Sequence, residues 1–303
     1  MKRHASQVNS EDANVPKAAP PIATNDDLNA ILRQYQNAEF LAIDTEFLRE
    51  RTYYPQLCLI QISDGVDAVA IDPLVPNLDL NPLWELMRNQ NITKVFHAGN
   101  QDMEIFLHLM GSLPEPIYDT QIAAMVCGLG DQVGYDKLVK AMLNHDIDKT
   151  SRFTDWSKRP LSNRQIVYAL DDVIYLAKLY PLMRSKLAAE NRSHWLDEEY
   201  AKSNDPATYV TAPDAAWQKL KVRNMRPAPL LRLMHLAAWR EREAQSRDLP
   251  RNRVIRDETL IDLAGSNPKD QKDYANIRNF PGGKDGQLVA PISKVLDMVA
   301  AMP

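Results

Sequence analysis

Two carboxylates, Asp44 and Glu46, stand two residues apart in the run FLAIDTEF at positions 40–47 of this 303-residue chain. The run reads as a β-strand, in which successive side chains alternate across the pleat, so both acids leave the same face side by side. Adjacent anions repel and resist burial. A divalent cation that prefers hard oxygen ligands, magnesium or manganese, would neutralise such a pair; an exposed strand face also carries one with no metal at all. Asp102 adds a third acid, in HAGNQD after a short apolar stretch and at the start of the next helical pattern. Loops at a sheet's end gather ligands there, and the helix dipole alone also favours an acid at that point. Tyr168 and Asp172 are four apart and share a helix face, while Asp171 turns about 100° away. A hydrogen-bonded Tyr and Asp at a core's edge is the other reading of that pair.

These residues need elements to hold them. Three β-type runs at 39–47, 56–63 and 67–72, separated by polar turns, predict an antiparallel meander. The period then changes. Residues 83–89 read as a short helix, 94–97 as a buried strand and 102–110 as an amphipathic helix ended by Gly111, the alternation of an α/β layer. Residues 118–127 fit strand or helix, and 136–143 a helix. Ser162 and Gln165 form a capping box before Ile166, Leu170, Val173, Leu176 and Ala177, which recur at helical spacing and predict a helix up to Pro181. Residues 1–25 are polar and aperiodic, a flexible tail, and 201–213, with two prolines and few large apolar residues, read as a linker. Beyond the linker only short helices are expected, at 215–221, 229–247, 257–264, 269–276 and 291–302.

With 45% hydrophobic and 25% charged residues, the composition is that of a globular protein and excludes a largely disordered chain or a coiled coil. No apolar stretch approaches the ~18 residues of a membrane helix, and the first 25 residues lack a signal-peptide core, so a cytoplasmic protein with no membrane partner is expected. Cys58 and Cys127 sit among apolar neighbours and read as small buried hydrophobes. No pair of the CxxC or HxxH kind suggests zinc. Residues 1–200 carry 19 Lys and Arg against 28 Asp and Glu, net −9, and residues 201–303 carry 17 against 12, net +5. A basic carboxy-terminal third suits a polyanion.

Taken together, D-x-E on the first strand, an acid after a later strand and Y-x-x-x-D on a late helix resemble a known set. FLAIDTEFLRERTYYPQLCLIQIS, VFHAGNQDMEIF and the helix bearing Tyr168 and Asp172 are similar to the three motifs of the DEDD superfamily of 3'-5' exonucleases, in its tyrosine-bearing branch. DTEF, YYPQLCLIQ and YDTQIAA bring the chain nearest to the ribonuclease D family over residues 26–200. The basic third is similar to the helical nucleic-acid-binding HRDC domain, through WREREAQSRDLPRNRVIRDETLIDLA, Asn267-Pro268, Ile277 and Phe280.

The resemblance implies an α/β fold with a ribonuclease H-like mixed sheet flanked by helices at 26–200, then a small all-α domain at 214–303. It also implies that Asp44, Glu46, Asp102 and Asp172 hold two divalent cations, Mg2+ or Mn2+, with Tyr168 beside the nucleophile. The implied activity is exoribonucleolytic release of nucleoside 5'-monophosphates from RNA 3' ends, tRNA precursors or other 3'-extended RNA. A DNA exonuclease on the same core and a non-catalytic nucleic-acid-binding protein are the alternatives, and no protein partner is deducible. Arg240, Arg251, Arg253 and Arg256, with Arg223, Arg226, Arg242 and Arg247, are candidates for phosphate contacts. Trp239 reads as core, His97 as a structural histidine and Asp119 as a supporting acid. Phe47, Tyr53 and Tyr54 could stack bases or simply pack.

Overall fold

In the computed structural model, which describes residues 17–280 and 288–302, the alternating runs become β1 (Phe40–Leu48), β2 (Gln56–Ser63) and β3 (Ala68–Ile71). They are antiparallel neighbours, with Asp44 opposite Gln61 and Ile60 opposite Ile71. β4 (Thr93–Phe96) and β5 (Ile117–Asp119) add in parallel on the other side of β1, giving the order β3-β2-β1-β4-β5. The central strand β1 is therefore covered on both faces, which explains its unbroken buried stretch Leu41, Ala42 and Ile43.

Two apolar layers sandwich the sheet. Leu41 and Ile43 pack with Leu28, Leu32 and Tyr35 of α1 (Asn25–Tyr35), with α2 (Asn81–Met87), and with Met103, Ile105 and Phe106 of α3 (Asn100–Met110). Ala42 and Val95 pack with α4 (Thr120–Val126), α5 (Tyr135–Leu143) and α6 (Asn163–Ala189). Gly111 ends α3 at φ 73°, its N–H returned to the Leu107 carbonyl, a conformation that costs glycine nothing. The ambiguous run 118–127 divides at Asp119: the strand stops there, and its carboxylate caps α4 by accepting from the Gln121 N–H.

Three expectations change. The α6 helix begins at the expected capping box but runs through Pro181 to Ala189. A proline there forfeits a backbone bond and costs about 3 kcal/mol; burial of Tyr180, Met183 and Leu187 on one face of the helix offsets it. Of the expected tail, residues 1–16 lie outside the described residues. Residues 18–25 are held in place: Ile22 N–H donates to Ala70 O, Asp72 N–H donates to Ile22 O, and Thr24 caps α1. The linker expected at 201–213 is shorter as well, because α7 (Trp195–Ser203) reaches into it and Tyr209 packs on the first core.

Contacts divide the chain into two units, one of residues 17–48 and 55–209, the other of Arg49–Tyr54 with residues 210–302. The second gathers a short 3-10 segment (Pro213–Lys219), α8 (Pro227–Ser246), α9 (Arg251–Val254), α10 (Asp257–Ser266), α11 (Gln271–Ala275) and α12 (Val289–Ala300). Leu233, Leu236, Leu260, Leu263, Ile292 and Leu296 form its core, with Trp239 among them and Tyr53 packed against it. Both cysteines are buried. No helix among the described residues is long and apolar enough to cross a membrane.

Candidate active site

Alternation along β1 sends Leu41 and Ile43 to one layer and Phe40, Ala42, Asp44 and Glu46 to the other. The second face is the one α6 covers. Phe40 meets Tyr180 with ring centroids 4.6 Å apart, and Ala42 shares a core with Val173 and Leu176. The same helix, two to three turns earlier, carries Tyr168 and Asp172. One carboxylate oxygen from each of Asp44, Glu46 and Asp172 lies within 4.8 Å of the other two. One turn before Asp172 on the same helix face, Tyr168 brings its hydroxyl within reach of the charges of Asp172, Glu46 and Asp44.

Asp102 stands outside that trio but within reach of its charge. It is buried in the first turn of α3, where Thr45 Oγ1 donates to its Oδ1 at 2.5 Å. The turn before it is built for close approach. A Cβ on Gly99 would come 2.8 Å from Phe96 Cβ, and Asp119 braces the same turn by accepting from the N–H groups of Ala98 and Gly99 at 3.0 and 2.9 Å. Asp119 thus supports the segment, as read from sequence. His97 is also structural, with Nδ1 on Thr120 Oγ1 at 2.9 Å and its pKa lowered by burial.

Burial pushes every acid of the cluster toward its neutral form, and neighbouring carboxylates add to it. Asp44 rises well above the ordinary carboxylate range, through burial first and then through Asp172, Asp102 and Glu46. Burial, followed by the charges of Asp172 and Asp102, lifts Glu46 to about 9. Asp102 is raised to about 7 by burial against the lowering hydrogen bond from Thr45, and Asp172 to about 7 by burial and the neighbouring Asp171. Such uncompensated negative charge, presented by oxygen donors alone, fits a divalent cation. The Tyr168 hydroxyl is raised too, by burial and by Asp172, Glu46 and Asp44, so it keeps its proton at neutral pH.

Two neighbours escaped the sequence reading. Tyr135, at the start of α5, donates its hydroxyl to the backbone carbonyl of Asp172. No motif marks it; a tyrosine at the head of an amphipathic helix reads as core. Arg152 draws Glu46 and Asp172 back toward ionisation, and a lone arginine in a loop gives no signal of its own.

Among the candidate phosphate-binding arginines, two are corrected. Arg240 is 2% exposed, its Nη1 on the Ile255 carbonyl at 3.1 Å and on Asp257 at 2.6 Å. Arg251 grips the fully buried Glu241 with two bonds of 2.5 Å and lies 4.8 Å over the Tyr53 ring. Helical spacing told that arginines were present, not which of them faced inward. Arg253 and Arg256 are exposed and line a cavity of about 310 Å³ with Asn252, Asn279 and Phe280. Phe47 packs on the first core and Tyr53 on the second.

Residues 20–188 match the family described as 3'-5' exonuclease, and residues 230–295 match the HRDC domain. Ribonuclease D of Zymomonas mobilis is 49% identical over 264 residues, 87% of this chain and 68% of that protein. The chain belongs to the ribonuclease D family. Ribonuclease D of a Jannaschia species is likewise 49% identical, over 85% of this chain and 68% of its own length. The crystal structure of Escherichia coli RNase D, an exoribonuclease involved in structured RNA processing, superposes with a TM-score of 0.85 at 33% identity, covering 94% of this chain and 76% of that one. As a member of that family, the protein is a 3'-5' exoribonuclease whose α/β exonuclease core is followed by an HRDC domain.

Proposed function

We propose that the chain trims RNA 3' ends one nucleotide at a time, releasing nucleoside 5'-monophosphates, with tRNA precursors and other 3'-extended structured RNA as substrates. The observation that carries the reading is the convergence of Asp44, Glu46 and Asp172 within 4.8 Å, drawn from a strand and a helix 126 residues further along. Asp102 completes a four-carboxylate set that would hold two dications, Mg2+ or Mn2+. When bound, such a pair shields the anionic phosphodiester, acidifies water and stabilises the departing oxygen.

The chain's own groups do the positioning. Tyr168, protonated and on the same face of α6 as Asp172, presents its hydroxyl oxygen as an acceptor to the attacking water and orients it. Thr45 and Asp119 keep Asp102 and its turn in place, and Tyr135 does the same for the α6 backbone at Asp172. Arg253 and Arg256, exposed beside a cavity in the second unit, serve as phosphate contacts for longer RNA.

A digest of 3'-extended tRNA with magnesium or manganese, followed by product analysis, tests the reading. Mononucleotides bearing a 5'-phosphate are expected, with shortening from the 3' end only. Internal cleavage, metal-independent hydrolysis or faster digestion of matched single-stranded DNA would overturn it.

A further inference from the structure

The segment joining α5 to α6 is pinned to the exonuclease core at three points. Arg159 forms a two-pronged ion pair with Asp72, at 2.5 and 2.7 Å, and donates to the Cys58 carbonyl at 2.6 Å. Trp156 is buried, its ring centroid 6.1 Å from that of Tyr168. Gln165, in the first turn of α6, donates to Thr154 Oγ1 at 3.1 Å. Just before these anchors two side chains face outward. Phe153 is 91% exposed, and the guanidinium of Arg152 lies 5.4 Å over its ring.

The charge pattern singles out the same place. Lys149, Lys158, Arg159 and Arg164 each have an acid within 4.0 Å: Asp136, Asp155, Asp72 and Asp148. Among the described residues, Arg152 has no such ion pair. Its charge nevertheless reaches the cluster, favouring the ionised forms of Glu46, Asp172 and Tyr168. A single exposed phenylalanine needs no explanation. One capped by an unpaired arginine, on a loop packed against Tyr168, matches a ligand that is flat and apolar on one side and anionic on another. A nucleotide is both.

We propose that Arg152 and Phe153 form the grip on the 3'-terminal stretch of the substrate: Phe153 stacks on a base next to the scissile linkage, and Arg152 holds a phosphate oxygen at the mouth of the acidic cluster. The assignment rests on the exoribonuclease reading and adds to it the residues that seat the strand end. Stacking on an aromatic face tolerates any base, so the grip is blind to sequence.

Steady-state hydrolysis of a single-stranded RNA oligonucleotide by the full chain, at several salt concentrations, tests it with Phe153→Ala, Phe153→Trp, Arg152→Ala and Arg152→Lys. Both positions are exposed, so the variants keep the fold. Phe153→Ala raises KM about tenfold, the scale of one lost stacking contact, and changes kcat far less; Phe153→Trp restores KM. Arg152→Ala lowers the slope of log(kcat/KM) against log salt by roughly one, the signature of one lost phosphate contact, and Arg152→Lys restores that slope. Variants that match the wild type in KM and salt slope, while the wild type digests RNA, overturn the grip and leave the exoribonuclease standing. Losses confined to kcat, without rescue by Trp or Lys, overturn it as well. A wild type that releases no mononucleotide removes the exoribonuclease reading and the grip together.

Discussion

Two of the regions that bury charge in this molecule handle it in opposite ways. In the second unit, Glu241 is fully buried but receives a two-pronged guanidinium from Arg251 and the hydroxyl of Tyr53, while Arg240 next to it is paired with Asp257. Each charge there meets an opposite charge from the same chain. In the exonuclease core, Asp44, Glu46 and Asp172 converge with Asp102 close behind, and burial, added to by neighbouring carboxylates, lifts all four above the ordinary carboxylate range. The chain supplies Arg152 as a distant cation and little else. A self-satisfied buried cluster is architecture; one left uncompensated awaits something from outside.

That contrast can be broken by mutation. The largest effect is expected from Asp44→Asn or Asp172→Asn, which should lower metal-dependent RNA hydrolysis at least ~10³-fold, the scale of losing one central electrostatic stabiliser, measured as initial rates at saturating magnesium. Near-normal rates would remove that residue from the site. Tyr168→Phe should cost about 10²-fold, the lower range for a positioned proton-handling group, with RNA affinity by filter binding little altered. On the architectural side, Glu241→Ala should destabilise the protein by about 2–3 kcal/mol in urea unfolding. That is less than a fully buried pair is worth, because a third of Arg251 stays in solvent.

Smaller effects sharpen the same contrast. In chelator-treated protein the folded-state pKa values of about 9 for Glu46 and about 7 for Asp102 and Asp172 lie above the ordinary ~4 of an unfolded chain. The folded state therefore binds more protons between these limits. The stability these three groups contribute is fully present below about pH 4 and is lost as pH rises through 7 and 9, so melting curves of the wild type and of the Asp44→Asn variant should diverge across about pH 6 to 9. Asp44→Asn should flatten the fall and raise the melting temperature of the metal-free protein by a few degrees. Smallest is the change expected at Arg253 and Arg256: alanine at both should reduce the salt slope of long-RNA binding by roughly two without altering the melt.

Much of the fold was legible from one-dimensional pattern. Alternation placed β1, β2 and β3 to within a residue or two, and the Ser162–Gln165 box placed the start of α6, because those signals are local. The end of α6 was not legible, since burial of Tyr180, Met183 and Leu187 outweighs the local cost of Pro181. Nor was α1, a helix whose identity is settled only when Leu28, Leu32 and Tyr35 pack against the sheet. The same limit separates Arg240 and Arg251, turned inward to Asp257 and Glu241, from Arg253 and Arg256, left in solvent.

For the site, residue type and local spacing alone were enough to put Asp44 beside Glu46 and Tyr168 on one face with Asp172, because pleat and helix repeat are properties of the backbone. Whether those two pairs meet was a separate matter. It depended on α6 crossing the Ala42 face of β1, on Gly99 and Asp119 shaping the turn that delivers Asp102, and on Tyr135 reaching the Asp172 carbonyl. Those contacts join residues far apart in the chain, and only cooperative burial of two apolar layers against one sheet selects them.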